Sequence, residues 1–400
     1  MLSAGTREIG SDGMDVKLKA LNKLKDDLVG KYGADSVMFT HEIPIRPVVS
    51  SGSLALDFAT GIGGFPSDRV IEVAGQEGSG KSSLGLITMA NFLDAQPDRG
   101  AIILDTEHKL TASWVEQLIG KERMERVILL WPDSMEQATD MYTKAVSSGE
   151  ISFVMLDSIG GSPSQRVMTK SAEIGNIGGN ALAVTRFAQL ASIYSQKYHV
   201  LTFGVNQTRE DLAGYHRMIT PGGRAWKHAC VLRIQLKRGQ GKVEKKIDGE
   251  DIPIGYDVIA KISKNQLAPP GRTAFYWFFN VNTDGEHPFG IDQLDEIIRL
   301  GITTKVIRQG GAWYNHAALP DGKIQGREAL IALVREDEAL RQTLVSEIKV
   351  VLAEGSGEIA NLVAPMTNPE EDLADEVSFH AANIHMMEGE SDEESSMAEA

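Results

Sequence analysis

The feature that most narrows what this chain can fold into is Gly75-Gln76-Glu77-Gly78-Ser79-Gly80-Lys81-Ser82, a G-x-x-x-x-G-K-S run. The apolar, β-branched segment Val70-Ile71-Glu72-Val73 precedes it and a helix-like stretch from Ser83 to Phe92 follows. Strand, glycine loop and helix in that order form a phosphate-binding loop. Glycines let successive backbone N–H groups converge on an anion, and the positive end of the next helix favours the same charge. Lys81 is then expected at the β- and γ-phosphates and the Ser82 hydroxyl on Mg²⁺, with Ser83 among the nucleotide-binding residues. A nucleotide and Mg²⁺ are the implied ligands.

From Val70 the chain alternates apolar strand-like runs with helical stretches: "RVIEVAG", "RGAIILDTEH", "RVILLWP", "ISFVMLDSIG" and "HVLTFGVNQ". Unbroken apolar runs are strands buried on both faces, and helices between them imply parallel crossovers. The expected class is α/β, a doubly wound, mainly parallel sheet. "HACVLRIQLK", "YDVIAKISK" and "TAFYWFFN" have short polar connections and are expected to extend the sheet as an antiparallel edge. Before this core, Leu18, Leu21, Leu24 and Leu28 recur at helical spacing up to Gly30, a stop signal. That apolar stripe needs a partner, in its own domain or on a neighbouring subunit. After the core, helical patterns at Ile291 to Leu300 and Arg327 to Leu352 flank "GAWYN", a small α+β unit. The expected boundaries are 1–40 for the N-terminal helix region, 41–285 for the core, 286–355 for the C-terminal unit and 356–400 for an acidic tail.

The net charge of −15 argues against a polyanion partner only until it is located. No Lys or Arg follows Lys349, and 13 acidic residues do, so −15 less the tail's −13 leaves residues 1–349 near −2. The tail is poor in hydrophobic residues and reads as disordered, either a solubility tail or a competitor for basic surface. No membrane-length apolar run or secretory leader is apparent, and the single Cys230 precludes an internal disulfide, so a cytoplasmic location is expected.

Ligands of parallel sheets sit at the carboxyl ends of strands. Asp157 closes "FVMLDS" and is the candidate for holding Mg²⁺, with Ser158 beside it; Glu107, just past "IILD", is the candidate for polarising an attacking water. A third strand end carries Asn206 and Gln207 and leads into the segment Thr208 to Arg224. That segment and Gly160 to Asn180 resist both periodicities, and long irregular loops in a compact domain usually carry function. Arg209, Arg217, Arg224, Gly222, Gly223 and Lys227 supply cations and accessible N–H groups of the kind that contact nucleic-acid backbone, although mobile basic loops also serve other anions. Trp114 offers either a flat face for adenine or a buried core ring.

Taken in order, "SSGSLALDFATGIGGFP", "GQEGSGKS", "LDTEH", "MLDSIG", "VNQTR", "TPGGRAWK", "KISKNQLAPP" and "GAWYN" resemble the RecA family of ATP-dependent homologous-recombination proteins over residues 15 to 355. The resemblance implies a self-assembling filament on single-stranded DNA that binds ATP between subunits and exchanges strands with homologous double-stranded DNA. It places Gly75, Gln76, Glu77, Gly78, Ser79, Gly80, Lys81 and Ser82 on the phosphates, Glu107 on water, Trp114 on adenine and Asp157 on Mg²⁺. Gln207 becomes the amide coupling ATP to the second DNA loop, with Arg209, Gly222 and Gly223 at backbone-contacting positions and Arg224 beside them. The leucine helix would pack on the next subunit, and the tail resembles the family's self-restraining C-terminus.

The chain departs from the family pattern in two places. Bacterial members carry two lysines that reach the neighbour's γ-phosphate; here Lys264 is retained and Gln266 replaces the other. The first loop is also about two residues longer. Such divergence would suit a bacteriophage-type or otherwise distant member. A ring helicase with a related core, or an ATP-binding scaffold without nucleic acid, shares the phosphate loop but not the whole motif order.

Overall fold

The computed structural model describes residues 11–43, 47–161, 163–164, 179–210, 218–247, 250–281 and 289–354. The acidic tail and most of the two proposed DNA loops, including Arg217, lie outside them, as does the side chain of Arg209.

Nine strands form the central sheet: β1 (Val70–Gly75), β2 (Gly100–Asp105), β3 (Val127–Leu130), β4 (Ile151–Asp157), β5 (Leu201–Gln207), β6 (Cys230–Ile247), β7 (Glu250–Asn265), β8 (Thr273–Phe279) and β9 (Gly290–Ile291). Their order across the sheet is β9-β8-β7-β6-β1-β5-β4-β2-β3. Pairing is parallel from β6 through β3 and antiparallel from β6 outward to β9. β1 and β4 are buried at every position, as strands covered on both faces must be. Apart from the single turn Lys121–Met124, the α-helices among the described residues are α1 (Ser11–Tyr32), α2 (Leu54–Ala59), α3 (Lys81–Ala95), α4 (Ala112–Ile119), α5 (Met135–Ser147), α6 (Gly179–Tyr198), α7 (Gly223–Ala229), α8 (Gln293–Thr303), α9 (Arg327–Glu336) and α10 (Glu338–Glu354). Among the described residues none is long and apolar enough to cross a membrane.

Three local expectations need revision. Of the strands expected as an antiparallel edge, β6 joins β1 in parallel, because α7 returns the chain to the amino-terminal edge before β6 begins. Helix α1 continues through Gly30 to Tyr32; Gly33, at φ +88°, makes the exit and its N–H bonds the Val29 carbonyl. The pattern from Arg327 to Leu352 is two helices, broken at Asp337, whose extended backbone lets its carboxylate accept from Leu340 N.

The C-terminal helices and a three-stranded sheet (Arg308–Gly310, Trp313–Asn315, Lys323–Gln325) share one apolar cluster with the β1/α3 side of the core. Glu296 of α8 crosses that junction. Fully buried, it accepts from Ser53 Oγ at 2.5 Å and Leu54 N at 3.0 Å and so caps α2. Burial outweighs those bonds and lifts its pKa to about 8.

Candidate nucleotide site and loop roots

The glycine loop leaves β1 at Gly75, where a Cβ would lie 2.4 Å from the Leu236 carbonyl oxygen. Gly78 (φ +73°) and Gly80 (φ +87°) occupy left-handed conformations that turn the chain into α3. The helix therefore begins at Lys81 with its N-terminal dipole facing the loop. Lys81 is buried and donates to the Gln76 carbonyl at 2.6 Å. Burial disfavours its ammonium, while Asp157 pulls in the opposite direction.

Ser82 Oγ donates to Asp157 Oδ2 at 2.5 Å. Asp157 Oδ1 is buried without a hydrogen bond, and burial raises the carboxyl's pKa. An unsatisfied buried carboxylate oxygen beside a hydroxyl is a donor set that fits a hard divalent cation. Register places Asp105 and Asp157, the last residues of β2 and β4, beside Val205, two residues before the end of β5, which brings Glu107 and Gln207 to the same edge of the sheet as Asp157.

Glu107 is held by three donors. Its Oε1 accepts from Ser158 Oγ at 2.5 Å and Gln207 Nε2 at 3.2 Å, and its Oε2 accepts from Lys109 Nζ at 2.6 Å. Burial pushes its pKa up, but these bonds more than offset that and hold the carboxyl below its usual range. Asp105 shapes the turn that follows it, Thr106 to Leu110, by accepting from Glu107 N and Leu110 N. Ser158 opens the Gly160 to Asn180 segment and Gln207 opens the Thr208 to Arg224 segment, so one carboxylate touches the start of both.

The two segments also meet directly. A Cβ on Gly160 would stand 3.1 Å from Pro221 Cγ, and Asn206 Nδ2 donates to the Pro221 carbonyl at 2.8 Å. Gly222 (φ +101°) and Gly223 (φ +68°) then turn the chain into α7, where Arg224 is exposed.

Behind this joint lies Glu72, fully buried in β1. It accepts from Asn206 Nδ2 at 2.7 Å, from Trp226 Nε1 at 3.0 Å and from Arg233 Nε, while Arg233 Nη2 reaches Thr220 Oγ1 at 3.0 Å. Sequence reasoning passed over Glu72 and Lys109. The available signals were a carboxylate inside a wholly apolar strand and a lysine two residues past the proposed catalytic glutamate.

Lys81, Ser82, Glu107, Asp157 and Gln207 are thus brought together. Trp114 is half-buried in the first turn of α4 against the apolar core. Lys264 is engaged elsewhere, donating to the Lys227 carbonyl at 2.8 Å, where it caps the end of α7.

The family model described as RecA N-terminal domain matches residues 19–280. The chain is 31% identical over 305 residues to Protein RecA of Phytoplasma mali, covering 75% of this chain and 85% of that protein. It is 30% identical over 343 residues to Protein RecA of Chlorobaculum tepidum (84% and 93% covered). It is also 32% identical over 353 residues to the DNA repair protein recA homolog 3, mitochondrial, of Arabidopsis thaliana (84% and 76% covered). With a glycine loop, strand-end carboxylates and loop roots all borne on the parallel part of one sheet, the chain belongs to the RecA family of recombination ATPases.

Proposed function

We propose that the chain binds ATP and Mg²⁺ at the β1–α3 loop, assembles as a filament on single-stranded DNA, and couples ATP hydrolysis to pairing with double-stranded DNA and strand exchange. The observation that carries this reading is Glu107, bonded at once to Ser158 and Gln207, the residues that open the two loops.

Each residue has a role in this reading. The N–H groups of Gly75 to Ser82 and Ser83 bind phosphate oxygens, and Lys81 contributes its charge there. Ser82 and Asp157 would hold Mg²⁺, which when bound neutralises phosphate charge. Glu107 orients the attacking water and accepts its proton through a carboxylate oxygen. Gln207, sharing Glu107 Oε1, passes the state of the site to the segment containing Arg209, Gly222, Gly223 and Arg224, which contacts DNA backbone. Trp114 lies against the adenine, and Lys264 reaches the site of an adjoining subunit.

Assembly has candidate surfaces. Leu18, Leu21, Leu24 and Leu28 of α1 are all exposed, between 36% and 56%. On the outer edge of the sheet Ile128 (56%), Leu129 (38%) and Trp131 (57%) are exposed as well. Apolar surface of this kind marks an interaction site.

ATPase rates with and without single-stranded DNA, together with electron microscopy, test the proposal. Stimulated turnover with helical filaments is expected. Indifference to DNA would point to a scaffold, and closed rings that unwind duplex to a helicase.

A further inference from the structure

Lys109 is the one cation in direct contact with Glu107 among the described residues, and no role in the proposed chemistry has been given to it. Its Nζ lies 2.6 Å from Glu107 Oε2 and 4.0 Å from Asp157 Oδ1, the second distance being an electrostatic contact and not a hydrogen bond. Asp105 is the third carboxylate whose field it feels. The turn from Thr106 to Leu110 is fixed by Asp105, so the lysine is delivered to this cluster by a constrained backbone and not by a free loop. Its side chain is nevertheless 49% exposed, which leaves it room to withdraw toward solvent.

A surface ion pair is the ordinary account of a half-exposed Lys–Glu contact. Two observations take Lys109 beyond it. It faces the one oxygen of Asp157 that has no hydrogen bond, the atom that fits a divalent cation. Its charge also opposes that of Lys81 across the same space. A monovalent ammonium and a divalent metal ion at neighbouring carboxylates repel each other, so each weakens the other's hold.

We propose that Lys109 is a resident counter-ion of the Asp105–Glu107–Asp157 cluster that Mg²⁺ must displace or repel on binding, so that it sets the metal concentration at which the nucleotide site fills. Lys109 is a positioning residue in this scheme. It holds Glu107 Oε2 while Ser158 and Gln207 hold Oε1, and it is released from the cluster as the metal enters. The inference rests on the proposed ATP and Mg²⁺ site.

The test is binding of a slowly hydrolysed, fluorescently labelled ATP analogue to the full-length protein, titrated with Mg²⁺ and repeated in EDTA. Lys109→Met is expected to lower the half-saturating Mg²⁺ concentration about 2- to 5-fold, the effect of removing one screened, half-exposed charge. Lys109→Arg, which keeps the charge, should stay within the wild-type range, and neither variant should tighten nucleotide binding in EDTA. An unchanged or higher Mg²⁺ requirement in Lys109→Met overturns the counter-ion role, as does tighter binding in EDTA. Asp157→Asn separates this failure from that of the site. If it leaves the Mg²⁺ titration unmoved, the metal site is wrong; if it raises the requirement while Lys109→Met changes nothing, only the present inference falls.

Discussion

Replacing Glu72 with Gln probes the joint between the sheet and the loop roots. The substitution keeps the shape and one carbonyl oxygen but removes the charge paired with Arg233 and one of the two acceptors shared among Arg233, Trp226 and Asn206. Breaking a buried ion pair from one side costs about 3–5 kcal/mol, because the remaining charge stays buried and unpaired. Arg233 is 20% exposed at its side chain, so water relieves part of that, and about 2–3 kcal/mol is expected. Urea denaturation measures the loss. Hydrogen exchange should locate it at Thr220 to Trp226, while amides of β2 and β4 stay protected until global unfolding. Basal ATPase should survive better than DNA-stimulated ATPase, since among the described residues the network's hydrogen bonds run to Thr220, Pro221 and Trp226 and none reaches a residue from Gly75 to Ser82. Adding Arg233→Met removes the orphaned charge and should recover part of the stability. A change below about 0.5 kcal/mol, the usual size for a surface substitution, would refute the reasoning, and so would a double variant whose losses simply add.

Three further outcomes follow from the geometry. Lys81→Ala should lower ATP turnover by at least about 100-fold, a typical loss for one preorganised electrostatic group, measured by phosphate release. Single-stranded DNA binding should weaken steeply with salt, and Arg224→Ala should reduce the log–log slope by about 1 without changing base preference, measured by fluorescence anisotropy. Glu296, with its pKa raised from 4.5 to about 8, binds a proton more tightly folded than unfolded. Its contribution is therefore full below pH 4.5 and is lost as pH rises toward 8; Glu296→Gln should flatten that part of the stability profile in denaturation series across pH.

The parallel core was legible because buried strands leave an unbroken apolar record, and Asp157 and Gln207 stand at the ends of β4 and β5, with Glu107 two residues past the end of β2. Positions set by long-range pairing were less so. That β6 runs parallel to β1 depends on α7, a seven-residue helix too short to leave a periodic signature. The Glu72 network joins residues up to 161 positions apart, and nothing local announces that Asn206, Trp226 and Arg233 face one carboxylate. Lys109 escaped for the opposite reason: a lysine beside a glutamate is common in sequence, and only the turn held by Asp105 aims it at Asp157. The retained Lys264 was visible, but its carbonyl partners at the end of α7 were not.

The closeness of Gly160 to Pro221 has a mechanical corollary. At Gly160 and Pro221 the two loop roots stand shoulder to shoulder, so a sideways displacement of either residue presses on the other. In the proposed function, whatever a bound strand does to the root of one loop is felt at the root of the other.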